Sequence, residues 1–149
     1  MRTSSLFLLP LAFALACGEK EGEDSGDSGD TEVVADGISP QVLEADAHCY
    51  LHATGDEAYF WTFSAEVSDP QGDADIPTGL EHDIRFLRDG NIVEEMVGLL
   101  ACRDGACSAS FQEAQYGIPC ATADDWTVRF TVYDHEGNSG SLDVQAYED

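Results

Sequence analysis

Apolar and polar residues alternate most strictly over Trp126–Tyr133. Trp126, Val128, Phe130 and Val132 share one face, and Thr127, Arg129, Thr131 and Tyr133 share the other. A period of two over eight residues rich in β-branched and aromatic side chains predicts a half-buried strand. Gly137 and Asn138 supply a turn behind it, and Leu142, Val144 and Ala146 alternate again as a returning strand, Ser141–Tyr147. The same period recurs upstream. Leu43, Ala45, Ala47, Cys49 and Leu51 mark the inward face of a strand over Val42–Leu51. Trp61, Phe63, Ala65 and Val67 do so for Ala58–Ser68, and Ile84 and Phe86 for Glu81–Arg88. Asp89-Gly90-Asn91 is a hairpin signal. Ile92–Ala101 follows it, with Gly98 at a bulge or a crossing between sheets, and then Ala106–Gln115. No stretch carries a helical period. Seven short strands separated by turn signals predict an all-β, two-sheet antiparallel sandwich over Gly37–Asp149.

The first 36 residues read differently. Met1–Ala16 carries one charge, Arg2, and an apolar run from Leu6 to Ala16 that is too short to span a bilayer, which takes about 20 residues. With small residues at Ala14 and Ala16 it is expected to be a cleaved export signal. Ala14-Leu15-Ala16-Cys17 resembles the lipobox of bacterial lipoproteins, which implies a lipidated Cys17; ordinary signal cleavage would instead leave Cys17 a free thiol. Five cysteines is an odd count, and lipidation of Cys17 leaves an even set. Two or more acyl chains anchor stably. Residues 17–36 contain the run Asp-Ser-Gly-Asp-Ser-Gly-Asp, eight acids and almost nothing apolar, so they are expected to form a disordered tether spanning about 25 Å. A tether of this composition looks like those of many surface lipoproteins of Gram-negative bacteria, implying an outer-membrane or cell-surface location.

Charge narrows the partners. Residues 37–149 hold four arginines against 22 acids, a formal charge of −18. That excludes nucleic acid and repels anionic membrane surfaces, while cationic partners and metal ions remain open.

The segment VSDPQGD after the second strand and DDWTVRFTVYDHEGNSGSLDV at the end resemble the bacterial immunoglobulin-like and PKD-like modules of cell surfaces. Their last two strands carry Y-x-V-x-x-x-V-x-D-x-x-G-N. Trp126 stands at the tyrosine position, and Val128, Val132, Asp134, Gly137 and Asn138 match. The chain lacks the W-D-F-G-D-G signature of PKD modules, its third strand reading IRFLRDG. The resemblance implies an immunoglobulin-like sandwich serving as a spacer, adhesion or binding module.

Strand parity proposes the disulfides and a site. Cys102 and Cys107 lie symmetrically about Asp104-Gly105, where a two-residue hairpin makes them a close non-hydrogen-bonded pair. Cys49 and Cys120 fall near one pole and form the second bridge by elimination and geometry. A zinc site built from Cys102, Cys107 and histidines suits neither an exported setting nor the spacing. The opposite pole gathers Asp69, Asp73, Asp75, Asp104, Asp134, Glu136 and Asn138. Calcium takes six to eight oxygens from adaptable loops, so Asp69, Asp73, Asp75 and Asp134 are the candidate ligands and calcium the one cofactor suggested. The spacing is not that of an EF-hand: from Asp69 the sixth position is Ala74 and the twelfth Leu80. Asp, Gly and Pro are also ordinary turn formers. His48, His52, His82 and His135 read as surface histidines, and no nucleophile–base signature or phosphate loop stands out. Phe60, Tyr133, Tyr50 and Tyr116 are a possible patch for a protein or glycan. The expected protein is a non-enzymatic, lipid-anchored binding, adhesion or structural module. Its rivals are a calcium-binding adhesion module and, further off, a secreted hydrolase.

Overall fold

In a computed structural model the described residues are 39–53 and 57–149. The export signal, Cys17, the tether and the first two residues of the expected domain lie outside them. The described chain is all-β, with strands β1 Gln41–His52, β2 Ala58–Ser68, β3 Gly79–Arg88, β4 Asn91–Arg103, β5 Ala106–Gln112, β6 Thr127–Tyr133, β7 Ser139–Gln145 and β8 Tyr147–Glu148. They hydrogen-bond as one continuous sheet in the order β7-β6-β3-β4-β5-β2-β1-β8. Strand β4 makes it continuous: it pairs with β3 along Asn91–Cys102 and with β5 only through Ala101–Arg103. Two halves thus face one another, and their aromatic rings meet between them. Trp61 of β2 packs edge-on against Phe86 of β3 at 5.0 Å, and Phe63 of β2 meets Phe130 of β6 at 6.2 Å. Such offset and edge-to-face pairs are the favoured ring geometries. Trp61, Phe63, Ile84, Phe86, Val128, Phe130 and Val132 are all fully buried.

Both Asp-Gly hairpins form as tight turns. Asp89 (φ 52°) and Gly90 (φ 76°) join β3 to β4, and Asp104 (φ 50°) and Gly105 (φ 79°) join β4 to β5. Two successive positive φ values match the right-handed twist of the flanking strands. Cys102 pairs in register with Cys107 and is bonded to it; Cys49 is bonded to Cys120 across a separation of 71 residues. The two disulfides indicate an oxidising environment. Among the described residues, no helix is long and apolar enough to cross a membrane.

Three local expectations change. Leu43 is 58% exposed instead of inward, because a bulge between Val42 and Glu44 leaves it out of the β1–β2 ladder and turns Val42 onto the core. Leu51, near the end of β1, is also exposed. Strand β5 stops at Gln112 and gives way to a short helix, α1 Glu113–Tyr116, where the Gln112 N–H donates to the Gln115 side chain (2.8 Å). A reciprocal box of this kind satisfies the free donors of a first turn. Strand β8, an addition, lies parallel to β1.

Strand β7 meets the lead into β1 at Gly140. A Cβ there would collide with the backbone carbonyl of Pro40, just before β1. Backbone cannot turn aside as a side chain can, so Gly140→Ala is expected to cost about 1–3 kcal/mol, read as a lower urea midpoint at unchanged slope. A surface pair should matter less. Arg129 on β6 faces Asp143 on β7 and donates twice, at 2.6 and 2.7 Å. Hydrogen bonding from Arg129 holds the Asp143 carboxyl below the usual range. Both side chains are over a third exposed, so Asp143→Asn is expected to lose no more than about 1 kcal/mol. A depressed folded-state pKa adds stability above the ordinary aspartate range, and that stability is lost as pH falls through the depressed value. The midpoint difference between natural protein and variant is therefore expected near neutral pH and should shrink as pH falls below the ordinary aspartate range.

Candidate metal centre at the loop pole

The β2–β3 connection and the β6–β7 turn bring three aspartates together. Asp69 directly follows β2, and its Oδ1 accepts from the Gln71 N–H (2.7 Å), the local bond by which aspartate sets a turn. Gly72, at φ 116°, then lets the chain enter a single 3-10 turn over Asp73–Asp75, where the Asp75 N–H donates to the Gly72 carbonyl (2.8 Å). Asp134 directly follows β6. Its two carboxylate oxygens accept from the backbone N–H and the side-chain Nδ2 of Asn138, each at 2.7 Å. The two connections are tied together by the His135 N–H, which donates to the Asp75 carbonyl (3.0 Å).

Carboxylate oxygens of Asp69, Asp75 and Asp134 lie within 4.8 Å of one another. Asp69 is 5% exposed and Asp134 3%. The Oδ2 atoms of Asp69 and Asp75 are buried with no hydrogen-bond partner. Among the described residues, no arginine side chain forms an ion pair with any of the three; the arginine pairs lie with Asp83, Glu95, Asp125, Asp104 and Asp143. A buried carboxylate oxygen facing other carboxylates without a donor is costly unless a cation or proton enters. Burial pushes the Asp134 carboxyl up, but donors from Asn138 and the 136–137 backbone outweigh it and hold it below the usual range. The opposite holds for Glu136, raised first by the neighbouring Asp75 carboxylate, toward which its protonated form can donate, and then by desolvation. A proton on Glu136 therefore stabilises the fold in acid, and that contribution is lost as pH rises through its raised value.

Of the four expected ligands, Asp69, Asp75 and Asp134 converge. Asp73 does not join them: it is exposed, and its carboxylate lies beside Gly105 of the β4–β5 turn. Asp104 is exposed beside Arg103. The aromatic patch divides. Tyr50 and Phe60 stack at 6.2 Å, but Tyr116 packs on Phe111, and Tyr133 donates its hydroxyl to Asp83 (2.7 Å).

The expectation of four surface histidines fails at His82, which is fully buried. Its Nε2 donates to the Pro77 carbonyl (3.0 Å), and its Nδ1 accepts the Tyr133 N–H (3.2 Å). The ring thus clasps the end of the acidic β2–β3 connection to the residue before Asp134. Nothing in the local pattern Glu81-His82-Asp83 signals this, because both partners are backbone groups, and one of them, at Tyr133, is 51 residues away.

No family model, curated protein or solved structure matches the chain.

Proposed function

We propose that this protein is a non-enzymatic calcium-binding module of the bacterial cell envelope, lipid-anchored at Cys17 and serving adhesion or the binding of a protein or glycan partner. The observation that carries the metal reading is the pair of buried carboxylate oxygens without partners, Asp69 Oδ2 and Asp75 Oδ2, beside Asp134. Hard oxygen donors from two separate connections suit calcium, with water completing a shell of six to eight ligands. Magnesium demands a stricter octahedron and sheds water reluctantly, so it should bind more weakly. We read the curled sheet as an immunoglobulin-like sandwich, with β7, β6 and β3 on one side and β5, β2 and β1 on the other. The pattern of the last two strands, ending in Asp134, Gly137 and Asn138, supports that reading. Signal-like residues 1–16, the cysteine count and the two disulfides support export.

Calorimetric titration of chelator-stripped protein tests the site. One calcium per chain is expected, with weaker heat from magnesium, and with binding lost in Asp69→Asn and in Asp75→Asn. Absence of binding at millimolar calcium, or unchanged binding in both variants, would refute it. Fatty-acid labelling in the producing cell tests the anchor; incorporation that survives Cys17→Ser would discard it.

A further inference from the structure

Strand β4 leaves one of its edges open. Its ladder with β3 runs through Asn91–Cys102, yet β5 meets it only at Ala101–Arg103, and β5 residues 109–112 pair with β2 alone. Among the described residues, the edge of β4 facing away from β3 therefore has no strand partner from Ile92 to Leu100. On the β3 side the ladder is irregular at residues 97–99, which oppose Asp83 alone, and there the Gly98 N–H donates to the Asp83 carboxylate (3.1 Å). Ile92, Val93 and Val97 are 52%, 55% and 74% exposed along this edge, and Leu80 of β3 is 65% exposed. The devices that normally blunt an open edge are proline, lysine or an early bulge. Segment Ile92–Val97 contains neither proline nor lysine; the one such device in it is a single extra residue at Val93, where Phe86 pairs with Glu94 and Leu87 with Ile92.

Charge selects the occupant. Between the apolar residues stand Glu94 and Glu95, both exposed, and only Glu95 is paired, with Arg85. Antiparallel pairing with a second copy about the middle of the segment would bring Glu94 and Glu95 of the two chains together. Like charges so placed are destabilising, and the two chains would each bring a large negative charge. A partner strand with two adjacent basic residues flanked by β-branched ones answers every position in the run Ile-Val-Glu-Glu-Met-Val.

We propose that the open edge of β4, Ile92–Val97, docks an extended segment of another protein carrying a basic pair between β-branched residues. Main-chain hydrogen bonds extend the ladder, as in other cases of strand addition. The basic pair faces Glu94 and Glu95, and the flanking side chains cover Ile92, Val93 and Val97. This site is independent of the acidic loop pole.

The test uses the oxidised protein and a capped octapeptide, Thr-Val-Val-Lys-Arg-Val-Val-Thr, at about 0.15 M salt, where long-range attraction is screened. Peptide binding is expected to slow amide exchange across residues 92–97. N-methylation of alternate peptide residues keeps charge and side chains but removes donors, and is expected to weaken binding by about tenfold or more. Val93→Glu/Val97→Glu adds negative charge at exposed positions. Binding to a charged edge alone would tighten in that variant, whereas strand docking weakens. Glu94→Lys is expected to weaken it too. Absence of binding, protection elsewhere, equal binding of the N-methylated peptide, or tighter binding to the double variant would each overturn the proposal. A dimer by sedimentation with 92–97 already protected would overturn it in favour of a second copy.

Discussion

Saturating calcium is expected to raise the unfolding midpoint of the oxidised protein by about 10 °C, and Asp69→Asn to abolish the rise. A ligand that binds only the folded state adds RT ln(1 + [L]/Kd), about 2.7 kcal/mol at a hundredfold excess over Kd. For a domain near this size that corresponds to roughly 4 °C per kcal/mol. The stronger test is the reversal of sign in chelator. There the buried Asp69 Oδ2 has no donor and faces the carboxylates of Asp75 and Asp134. Asp69→Asn keeps the acceptor that Gln71 uses and removes the charge. The variant should therefore match or exceed the natural protein in chelator and fall below it in calcium. Asp73→Asn, on an exposed residue outside the cluster, should change neither. Were Asp69→Asn to destabilise equally in both conditions, the aspartate would be a turn former and the site would fall.

Removing the Cys49–Cys120 bridge should cost about twice as much as removing Cys102–Cys107. The chain-entropy relation gives about 4 kcal/mol for a separation of 71 residues and about 2 kcal/mol for a separation of 5. All four cysteines are buried, so alanine leaves comparable packing losses in the two double variants and the difference reports the loop. The long bridge also closes the pole opposite the aspartates. There the Trp61 indole donates to the Ile118 carbonyl (2.9 Å), and the Cys120 N–H donates to Glu113 (3.1 Å). Urea unfolding of Cys49→Ala/Cys120→Ala against Cys102→Ala/Cys107→Ala measures the two. Equal losses would show that the short bridge acts by more than loop closure.

Strands, hairpins and the Cys102–Cys107 pair were legible in the sequence because each is encoded locally; Cys49–Cys120, 71 residues apart, followed by elimination. Alternation over Trp126–Tyr133 reports which side chains a pleated strand turns inward. Asp-Gly pairs supply two positive φ values in succession. Parity about Asp104-Gly105 brings Cys102 opposite Cys107. It also gathered the acids at one pole, since antiparallel strands return their ends to two places.

Tertiary structure decided what depends on residues far apart in the chain. Parity names a pole but not which carboxylates point together. The 3-10 turn after Gly72 aims Asp75 at Asp69 and Asp134 and leaves Asp73 outside. Leu43 alternates correctly in the sequence yet faces solvent, because a bulge is set by pairing with β2. His82 is buried because two backbone groups, at Pro77 and Tyr133, happen to satisfy both ring nitrogens. The run Ile92–Val97 reads like any other strand. It becomes an open edge because β4 leaves β5 after three residue pairs, and that parting comes from the packing of one half of the sheet against the other.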